Sequence, residues 1–257
     1  MIYQAHKGVS SDYPENTMRA YRAAVDEGYS IIECDPKYTV DGVIVLLHDR
    51  TVNRTGRHPD GSVLAAETKI ADLTLAEAEQ LDFGIWKAPK FAGEGIPTLA
   101  QLLSFAEQTG IRLKIDNVWE SFPPEMQTVM LKQLAGSHAH IGVTCKATDA
   151  LRLVAAALPG AELHYDGGDL SEERIREVLR IADGHDLTVW VCYDNAQTAW
   201  FKGTKATPVL CQRIKANARL GIWILSLPEE AETALRDFGA DIIETNGEIK
   251  PNHEVHL

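Results

Sequence analysis

The stretch that decides the fold is IIECDPKYTVDGVIVLLHD, residues 31–49. Two short apolar runs flank a turn at Val40-Asp41-Gly42. The connection is far too short for the crossover that two parallel strands require. An Asp-Gly pair between apolar runs is instead a strong signal for a β-hairpin. We therefore predict that the second run folds back across the first.

Ionisable side chains are concentrated on this predicted hairpin. Glu33 and Asp35 lie two residues apart, so on an extended chain both carboxylates project from the same face. His48 ends the second run and would return across from them. Two carboxylates beside an imidazole fit a hard metal ion with a proton-transfer group next to it. A solvated strand face with a histidine at its end is the alternative, and the hairpin alone does not decide between them.

The composition is that of a soluble globular protein, with 45% hydrophobic and 24% charged residues. The net charge of -12 argues against a nucleic-acid partner and against docking on an anionic membrane. No segment has the length of a membrane span, and the first residues contain no apolar signal segment. The four cysteines show no C-x-x-C spacing. We expect a reduced, cytoplasmic protein with a small-molecule partner, and a homo-oligomer is left open.

Strand and helix patterns alternate along most of the chain. A first strand, a helix opened by Pro14-Glu15-Asn16-Thr17 and the strand that carries Glu33 form a βαβ unit. Helices are predicted between the later strands. Leaving out the hairpin arm 43–48, the predicted parallel strands are 2–6, 31–35, 112–116, 140–145, 162–165, 187–192, 221–225 and 241–245. Eight strands with this alternation predict an α/β fold of the TIM, or (β/α)8, barrel type.

The main interruption of the alternation is the polar segment 49–97, which is rich in Gly, Pro and charge and contains one short helix pattern at 75–81. We predict a lid-like insertion over the barrel mouth and not a second domain. The 257 residues are close to the roughly 250 that one such barrel takes. Residues 1–257 are therefore interpreted as a single barrel domain with one insertion.

Five polar side chains fall at the carboxyl ends of predicted barrel strands or beside them. They are His6, Glu33, Asp35, His48 and Asp116. The active sites of (β/α)8 barrels lie at this end. Three carboxylates without cysteine suit Mg²⁺ or Ca²⁺ better than Zn²⁺. The pattern therefore predicts a divalent metal site with two histidines beside it.

The order of short motifs resembles that of the glycerophosphodiester phosphodiesterases. HKG at residue 6 is followed by PENT, IIECD, TVDGVIVLLHD and TVNRTG at the intervals of that family. The likeness continues through LDFGIWKAPKFAGEGIPTL and GIWILSLPEEAETALRDFGADIIET. Each motif is weak alone, but the ordered series is specific. The resemblance implies a TIM barrel, in agreement with the strand count.

The resemblance also implies roles for individual residues. His6 and His48 become the acid-base pair, with His6 assigned as base and His48 as acid in an order that the sequence does not fix. Glu33, Asp35 and Asp116 become the ligands of Mg²⁺ or Ca²⁺. The implied reaction is hydrolysis of a glycerophosphodiester to glycerol 3-phosphate and an alcohol. Trp223 becomes either a wall of the substrate site or a core aromatic.

Three positions depart from the family pattern. Lys7 replaces an arginine that could bind phosphate through two hydrogen bonds, and Asp116 is shorter than the usual glutamate. Val118 stands where the family has a lysine, so Lys114 or Lys146 is predicted to supply the missing phosphate-binding charge. These changes leave open a diesterase for a sugar-type or lysolipid substrate. They also leave open a non-catalytic barrel that binds a phosphorylated ligand, although such a barrel has no use for two histidines.

Overall fold

The structure is a computed structural model that describes residues 1–251. Its strands are β1 (Ile2–Ala5), β2 (Ile31–Cys34), β3 (Pro36–Tyr38), β4 (Ile44–Leu46), β5 (Arg112–Ile115), β6 (Ile141–Cys145), β7 (Glu162–Tyr165), β8 (Leu187–Cys192), β9 (Arg219–Leu225) and β10 (Ile242–Thr245). Eight of them close a parallel barrel in the order β1-β10-β9-β8-β7-β6-β5-β2. The predicted TIM-barrel architecture is therefore confirmed.

Helices connect the barrel strands and, apart from the short one at 75–78 in the insertion, cover their outer faces. They are α1 (Met18–Asp26), α2 (Leu75–Ala78), α3 (Leu99–Thr109), α4 (Pro124–Ala135), α5 (Thr148–Ala157), α6 (Glu172–Ile181), α7 (Pro208–Lys215) and α8 (Pro228–Arg236). Outward strand residues such as Ile32, Leu113 and Val143 are fully buried against helix residues such as Leu102 and Met130. This apolar layer is the main core, and it leaves the inner faces of the strands free to carry polar groups.

The interior of the barrel is unusually polar. Lys114 on β5 donates to Glu244 on β10 at 3.0 Å, and its Nζ lies 4.0 Å from the centre of the Trp190 ring on β8. These partners lie three strands apart around the barrel, so their side chains meet across its centre. Gln4 also donates to Glu244. A buried charge needs such partners, because an unpaired one would cost several kcal/mol.

The predicted hairpin is present, but it begins later than the sequence suggested. β3 and β4 form an antiparallel pair with Pro36 opposite Leu46. Glu33 belongs to β2, which pairs in parallel with β1 and β5 in the barrel wall. Pro36 has no N–H to extend a strand ladder. The chain therefore leaves the barrel at Asp35 and only then forms the hairpin.

Residues 49–97 pack around a small apolar cluster of their own. Val52, Ile70, Ala78, Phe83 and Ile96 bury against Val45 and Leu47 of the hairpin arm. The cluster thus fixes the insertion to the hairpin. Its proposed role as a lid stays a prediction. In the part of the chain that the structure describes, no helix is long and apolar enough to cross a membrane.

Two glycines of the barrel wall make room for rings inside it. A Cβ on Gly221 would lie 2.5 Å from the Trp190 ring, and one on Gly142 would lie 2.3 Å from Nε2 of His164. Trp190 Nε1 in turn donates to His164 Nδ1 at 2.8 Å. The interior packing therefore depends on the absence of side chains at these two positions.

We predict that Gly221→Ala lowers the free energy of unfolding by about 1–3 kcal/mol, because overpacking forces the Trp190 ring out of place. Chemical denaturation followed by tryptophan fluorescence measures the change. Gly160→Ala is the matched control, since a Cβ there meets nothing within 4 Å. Equal stability of the two variants would contradict this view of the interior.

Candidate metal and acid-base site

The three predicted carboxylates meet at the carboxyl end of two neighbouring strands. Glu33 lies in β2, Asp35 follows that strand and Asp116 follows β5. One oxygen from each lies within 4.8 Å of the other two. Glu33 and Asp35 are buried, and Asp116 is partly exposed. The structure thus brings together residues that are up to 83 positions apart, from 33 to 116 in the chain.

Each carboxylate is held by one strong hydrogen bond. Glu33 Oε2 accepts from the backbone N–H of Lys7 at 2.9 Å. Asp35 Oδ2 accepts from Asn16 Nδ2 at 2.8 Å, and Asp116 Oδ1 accepts from the backbone N–H of Val118 at 3.0 Å. Within residues 1–251, the second oxygen of each carboxylate receives no hydrogen bond. One oxygen per carboxylate is therefore free for another ligand.

Crowding of the three carboxylates perturbs their protonation. Burial and the neighbouring charge of Asp35 raise the pKa of Glu33 well above its ordinary value. The same two causes raise the pKa of Asp116 to about 6. Burial also opposes ionisation of Asp35, but the positive charges of His48 and Lys37 outweigh it and lower its pKa. The site therefore carries negative charge that the protein neutralises only in part.

A hard divalent cation fits this donor set. Two oxygens bound to one Mg²⁺ or Ca²⁺ are separated by at most twice the metal–oxygen distance, which is about 4–5 Å. The three oxygens, within 4.8 Å of one another, meet the limit for Ca²⁺, whereas Mg²⁺, with a limit of about 4 Å, would draw them closer together. No thiol or imidazole nitrogen belongs to the cluster, so its chemistry favours Mg²⁺ or Ca²⁺ over Zn²⁺. A bound cation would also remove the repulsion that raises the pKa values.

His6 follows β1 and is oriented by a residue that sequence analysis did not select. Its Nδ1 lies 2.7 Å from Oδ1 of Asn246, whose Nδ2 donates to Gln197. Because the amide presents its oxygen, Nδ1 of His6 carries the proton and Nε2 is free to accept one. Burial, with the charge of Lys7, lowers the pKa of His6. The ring is thus held in its neutral form.

His48 lies at the end of the hairpin arm, with its side chain 47% exposed. Its Nδ1 bonds to Asp49 Oδ1 at 2.7 Å. Arg54 pairs with Asp49 and with Glu15, both at 2.6 Å, and Glu15 lies 3.6 Å from the Lys7 amine. Partial burial opposes ionisation of Asp49, but hydrogen bonds from Arg54 and His48 lower its pKa to about 2. This chain of charges ties the loop after His6 to the loop after His48.

The remaining predicted residues occupy different environments. The Lys7 amine faces Glu15, while its backbone holds Glu33. Lys146 is exposed after β6, and its backbone N–H donates to Glu120 at 2.6 Å. Lys114 is buried below the carboxylates and is already paired with Glu244. Lys114 therefore has no free amine for a phosphate, whereas the role predicted for Lys146 stays a prediction.

Trp223 lies where the barrel interior opens. It is 8% exposed and packs with Trp190 and Cys192 in an interior cluster. Its Nε1 donates to Oδ1 of Asp166 at 3.1 Å. Trp200 and Phe201, from the loop after β8, cover the outer side of its ring. Both earlier interpretations of Trp223 thus have structural support, because the ring is at once part of the interior packing and part of the mouth.

Several residues of this region were missed by sequence reasoning. They are Asn16, Lys37, Asp49, Arg54, Asp166, Glu244 and Asn246. Asn16 stands inside the quoted PENT motif and Asp49 directly follows His48, so their positions were a usable signal. Lys37 lies two residues after Asp35 and was visible in the same way. Asp166, Glu244 and Asn246 come from distant strands, and only the closed barrel places them here.

We predict that Asp116→Asn raises the free energy of unfolding by about 1–2 kcal/mol at pH 7.5 in the presence of a chelator. Asparagine keeps the hydrogen bond to Val118 and removes one repelling charge. The folded pKa of Asp116, about 6, lies above the ordinary value of 3.8. The folded state therefore binds more protons between these pH values, and the wild type loses stability as pH rises through them.

Urea denaturation at pH 7.5 and pH 4.5 measures this effect. The advantage of Asp116→Asn should shrink at pH 4.5, where the folded wild type already carries the proton. Asp183→Asn, at an exposed position after α6, serves as the control. If the variant were less stable than wild type at pH 7.5, repulsion among the carboxylates would not be destabilising the folded protein.

Comparison with known proteins places these features in a family. A model described as the glycerophosphoryl diester phosphodiesterase family matches residues 6–174. A glycerophosphodiester phosphodiesterase of Caldanaerobacter subterraneus subsp. tengcongensis is 43% identical over 98 residues, which cover 38% of this chain and 37% of that protein. Human glycerophosphodiester phosphodiesterase 1 is 37% identical over 102 residues, or 39% of this chain and 28% of the human protein. The chain thus spans less than half the length of these relatives.

Solved structures show the same fold. A phosphodiesterase of Oleispira antarctica, solved in complex with its product sn-glycerol 3-phosphate, superposes with a TM-score of 0.74 at 23% identity, covering 96% of this chain and 94% of that one. A glycerophosphodiester phosphodiesterase of Thermotoga maritima gives a TM-score of 0.64 at 19% identity, covering 96% and 95%. With the family model matched over most of the chain, this protein belongs to the glycerophosphoryl diester phosphodiesterase family.

Proposed function

We propose that this protein hydrolyses glycerophosphodiesters to sn-glycerol 3-phosphate and an alcohol, with a divalent cation at Glu33, Asp35 and Asp116. The observation that carries the proposal is the meeting of these carboxylates at the barrel end that also holds His6 and His48. The family membership supports the reaction class. A barrel that only bound a phosphorylated ligand would not need two histidines, each oriented by its own partner.

The two histidines divide the proton transfers between them. His6, neutral and with Nε2 free, accepts a proton from the nucleophile, whether that is water or a hydroxyl of the substrate. His48 donates a proton from Nε2 to the oxygen of the departing alcohol. Ionised Asp49 accepts from Nδ1 and stabilises the imidazolium before that transfer. When bound, Mg²⁺ or Ca²⁺ would neutralise charge on the phosphate oxygens.

Lys37 is the side chain best placed to bind the phosphate. It lies on β3, two residues after Asp35, and is 8% exposed. Its amine makes one bond, at 3.3 Å, to the carbonyl of Pro36, and forms no ion pair within the described residues. Burial lowers its pKa, while the nearby charges of Asp35 and Asp116 oppose that effect. Two of its three N–H donors are thus available to a phosphate oxygen. In this role Lys37 would replace the family lysine that is absent at Val118.

The first test concerns catalysis. We expect the wild type to release sn-glycerol 3-phosphate from glycerophosphoglycerol, a chelator to abolish the activity, and Mg²⁺ or Ca²⁺ to restore it. His48→Gln should lower kcat on the order of 100-fold or more, because the leaving alcohol then departs without its proton. His58→Gln, at an exposed histidine of the insertion 49–97, should keep wild-type activity. A fully active wild type in chelator would refute the role of the metal.

The second test isolates the phosphate subsite. We expect Lys37→Met to raise KM and the inhibition constant of inorganic phosphate roughly 10-fold or more, because one charge-assisted hydrogen bond to the phosphate is lost. Lys37→Arg should restore part of the affinity, and Lys132→Met, exposed on α4, should change neither constant. An unchanged inhibition constant in Lys37→Met would remove this lysine from the phosphate subsite.

A further inference from the structure

The guanidinium of Arg54 holds two carboxylates that belong to separate loops of the barrel mouth. Its Nε donates to Oδ2 of Asp49 at 2.6 Å, and Nη2 lies 3.3 Å from Oδ1 of the same group. On the other side, Nη1 and Nη2 donate to the two oxygens of Glu15 at 3.0 and 2.6 Å. Glu15 lies in the loop between β1 and α1, whereas Asp49 follows the hairpin arm. Arg54 thus joins two loops that are distant in the sequence.

The backbone that carries Arg54 is fixed by the insertion. One guanidinium nitrogen of Arg57 bonds to three backbone carbonyls of the turn 53–56. The N–H of Gly56 donates to the carbonyl of Val52 at 2.6 Å, and Val52 is buried in the apolar cluster of the insertion. The guanidinium of Arg54 therefore extends from an anchored turn.

This contact differs from an ordinary surface ion pair. Pairs between two exposed side chains hold their geometry weakly and contribute little to stability. Arg54 instead makes four hydrogen bonds to two carboxylates, and the Glu15 side chain is only 12% exposed. The planar fork of a guanidinium binds both oxygens of a carboxylate at once, which fixes direction as well as distance. Arg54 therefore restricts the orientation of both carboxylates.

The orientation of Asp49 in turn determines that of His48. Nδ1 of His48 lies 2.7 Å from Oδ1 of Asp49, while Nε of Arg54 occupies the other oxygen, Oδ2. Adjacent side chains on an extended chain point to opposite faces, so this contact depends on the bend at 48–50. Within residues 1–251, the Asp49 carboxylate makes no hydrogen bond other than those to His48 and Arg54. Without Arg54 it would be free to rotate into water.

We propose that Arg54 is a positioning residue for the general acid, which holds Asp49 so that Nε2 of His48 is directed at the oxygen of the departing alcohol. This role rests on the function proposed above, because it concerns the proton that His48 donates there. As the bond between phosphorus and that oxygen breaks, the proton passes from Nε2 to the oxygen. The neutral imidazole that remains keeps its Nδ1 hydrogen bond to Asp49. Glu15 anchors the guanidinium from the opposite loop.

The first experiment compares two diesters of glycerol phosphate, one with glycerol and one with p-nitrophenol. Glycerol must leave with a proton, whereas p-nitrophenol leaves readily as its anion and needs no acid. We expect Arg54→Met to lower kcat about 10- to 30-fold for the glycerol ester and less than about 3-fold for the p-nitrophenyl ester. Arg236→Met, which removes an exposed arginine paired with Asp237, should leave both values unchanged. Equal losses for the two esters in Arg54→Met would overturn the proposal.

A second experiment asks whether Arg54 acts through His48. Residues that act as a unit have non-additive effects on the rate. The double variant Arg54→Met/His48→Gln should therefore cleave the glycerol ester no more slowly than His48→Gln alone. If the two losses multiplied instead, Arg54 would be acting on something other than the general acid.

Binding of Ca²⁺ provides a measurement that needs no turnover. Titration calorimetry should give the same Ca²⁺ affinity for Arg54→Met and wild type, because none of the three clustered carboxylates accepts a hydrogen bond from Arg54. Weaker binding by the variant would overturn the proposal in favour of a general structural role of Arg54 at the mouth. A wild type that cleaves neither ester would instead refute the proposed function, and this role with it.

Discussion

Repulsion among three carboxylates is the constraint around which this end of the barrel is built. Glu33, Asp35 and Asp116 each place an oxygen within 4.8 Å of the other two. In the described part of the chain none of them forms an ion pair. Their hydrogen bonds come from backbone N–H groups and one amide, and the nearby positive charges of His48 and Lys37 offset the repulsion only in part. The donor set can therefore hold a divalent cation, which would neutralise the remaining charge.

The loop after His6 carries the strain that this arrangement requires. Lys7 and Asn16 both have positive φ angles, 60° and 53°, which are uncommon for residues other than glycine. Lys7 turns its N–H towards Glu33, and Asn16 bonds both the side chain and the backbone of Asp35. Tyr21 supports Asn16 from α1 at 2.9 Å. Backbone strain of order 1 kcal/mol per residue persists where it serves such a site.

Sequence patterns predicted the barrel and the clustering of the carboxylates because both follow from local rules. Period-two spacing put Glu33 and Asp35 on one face, and strand ends put Asp116 beside them. The patterns could not show that Lys114 pairs with Glu244 across the barrel, because that contact depends on closure. The prediction that Lys114 or Lys146 replaces the lysine absent at Val118 looked only at the barrel strands. It could not consider Lys37, the lysine that we propose for this role, because Lys37 reaches the site only through the position of the hairpin.

The family model covers the carboxylate side of the barrel mouth but not the opposite side, where the aromatic residues lie. The matched range 6–174 contains both histidines and all three carboxylates, whereas Trp200, Phe201 and Trp223 lie after it. Every phosphodiester presents the same phosphate group whatever its alcohol. The carboxylates would therefore meet the same phosphate geometry in each substrate. Under the proposed function the alcohol varies in charge and size, and the strands opposite the carboxylates can change with it without moving a carboxylate. Separate strands thus allow one reaction to be combined with different substrate preferences.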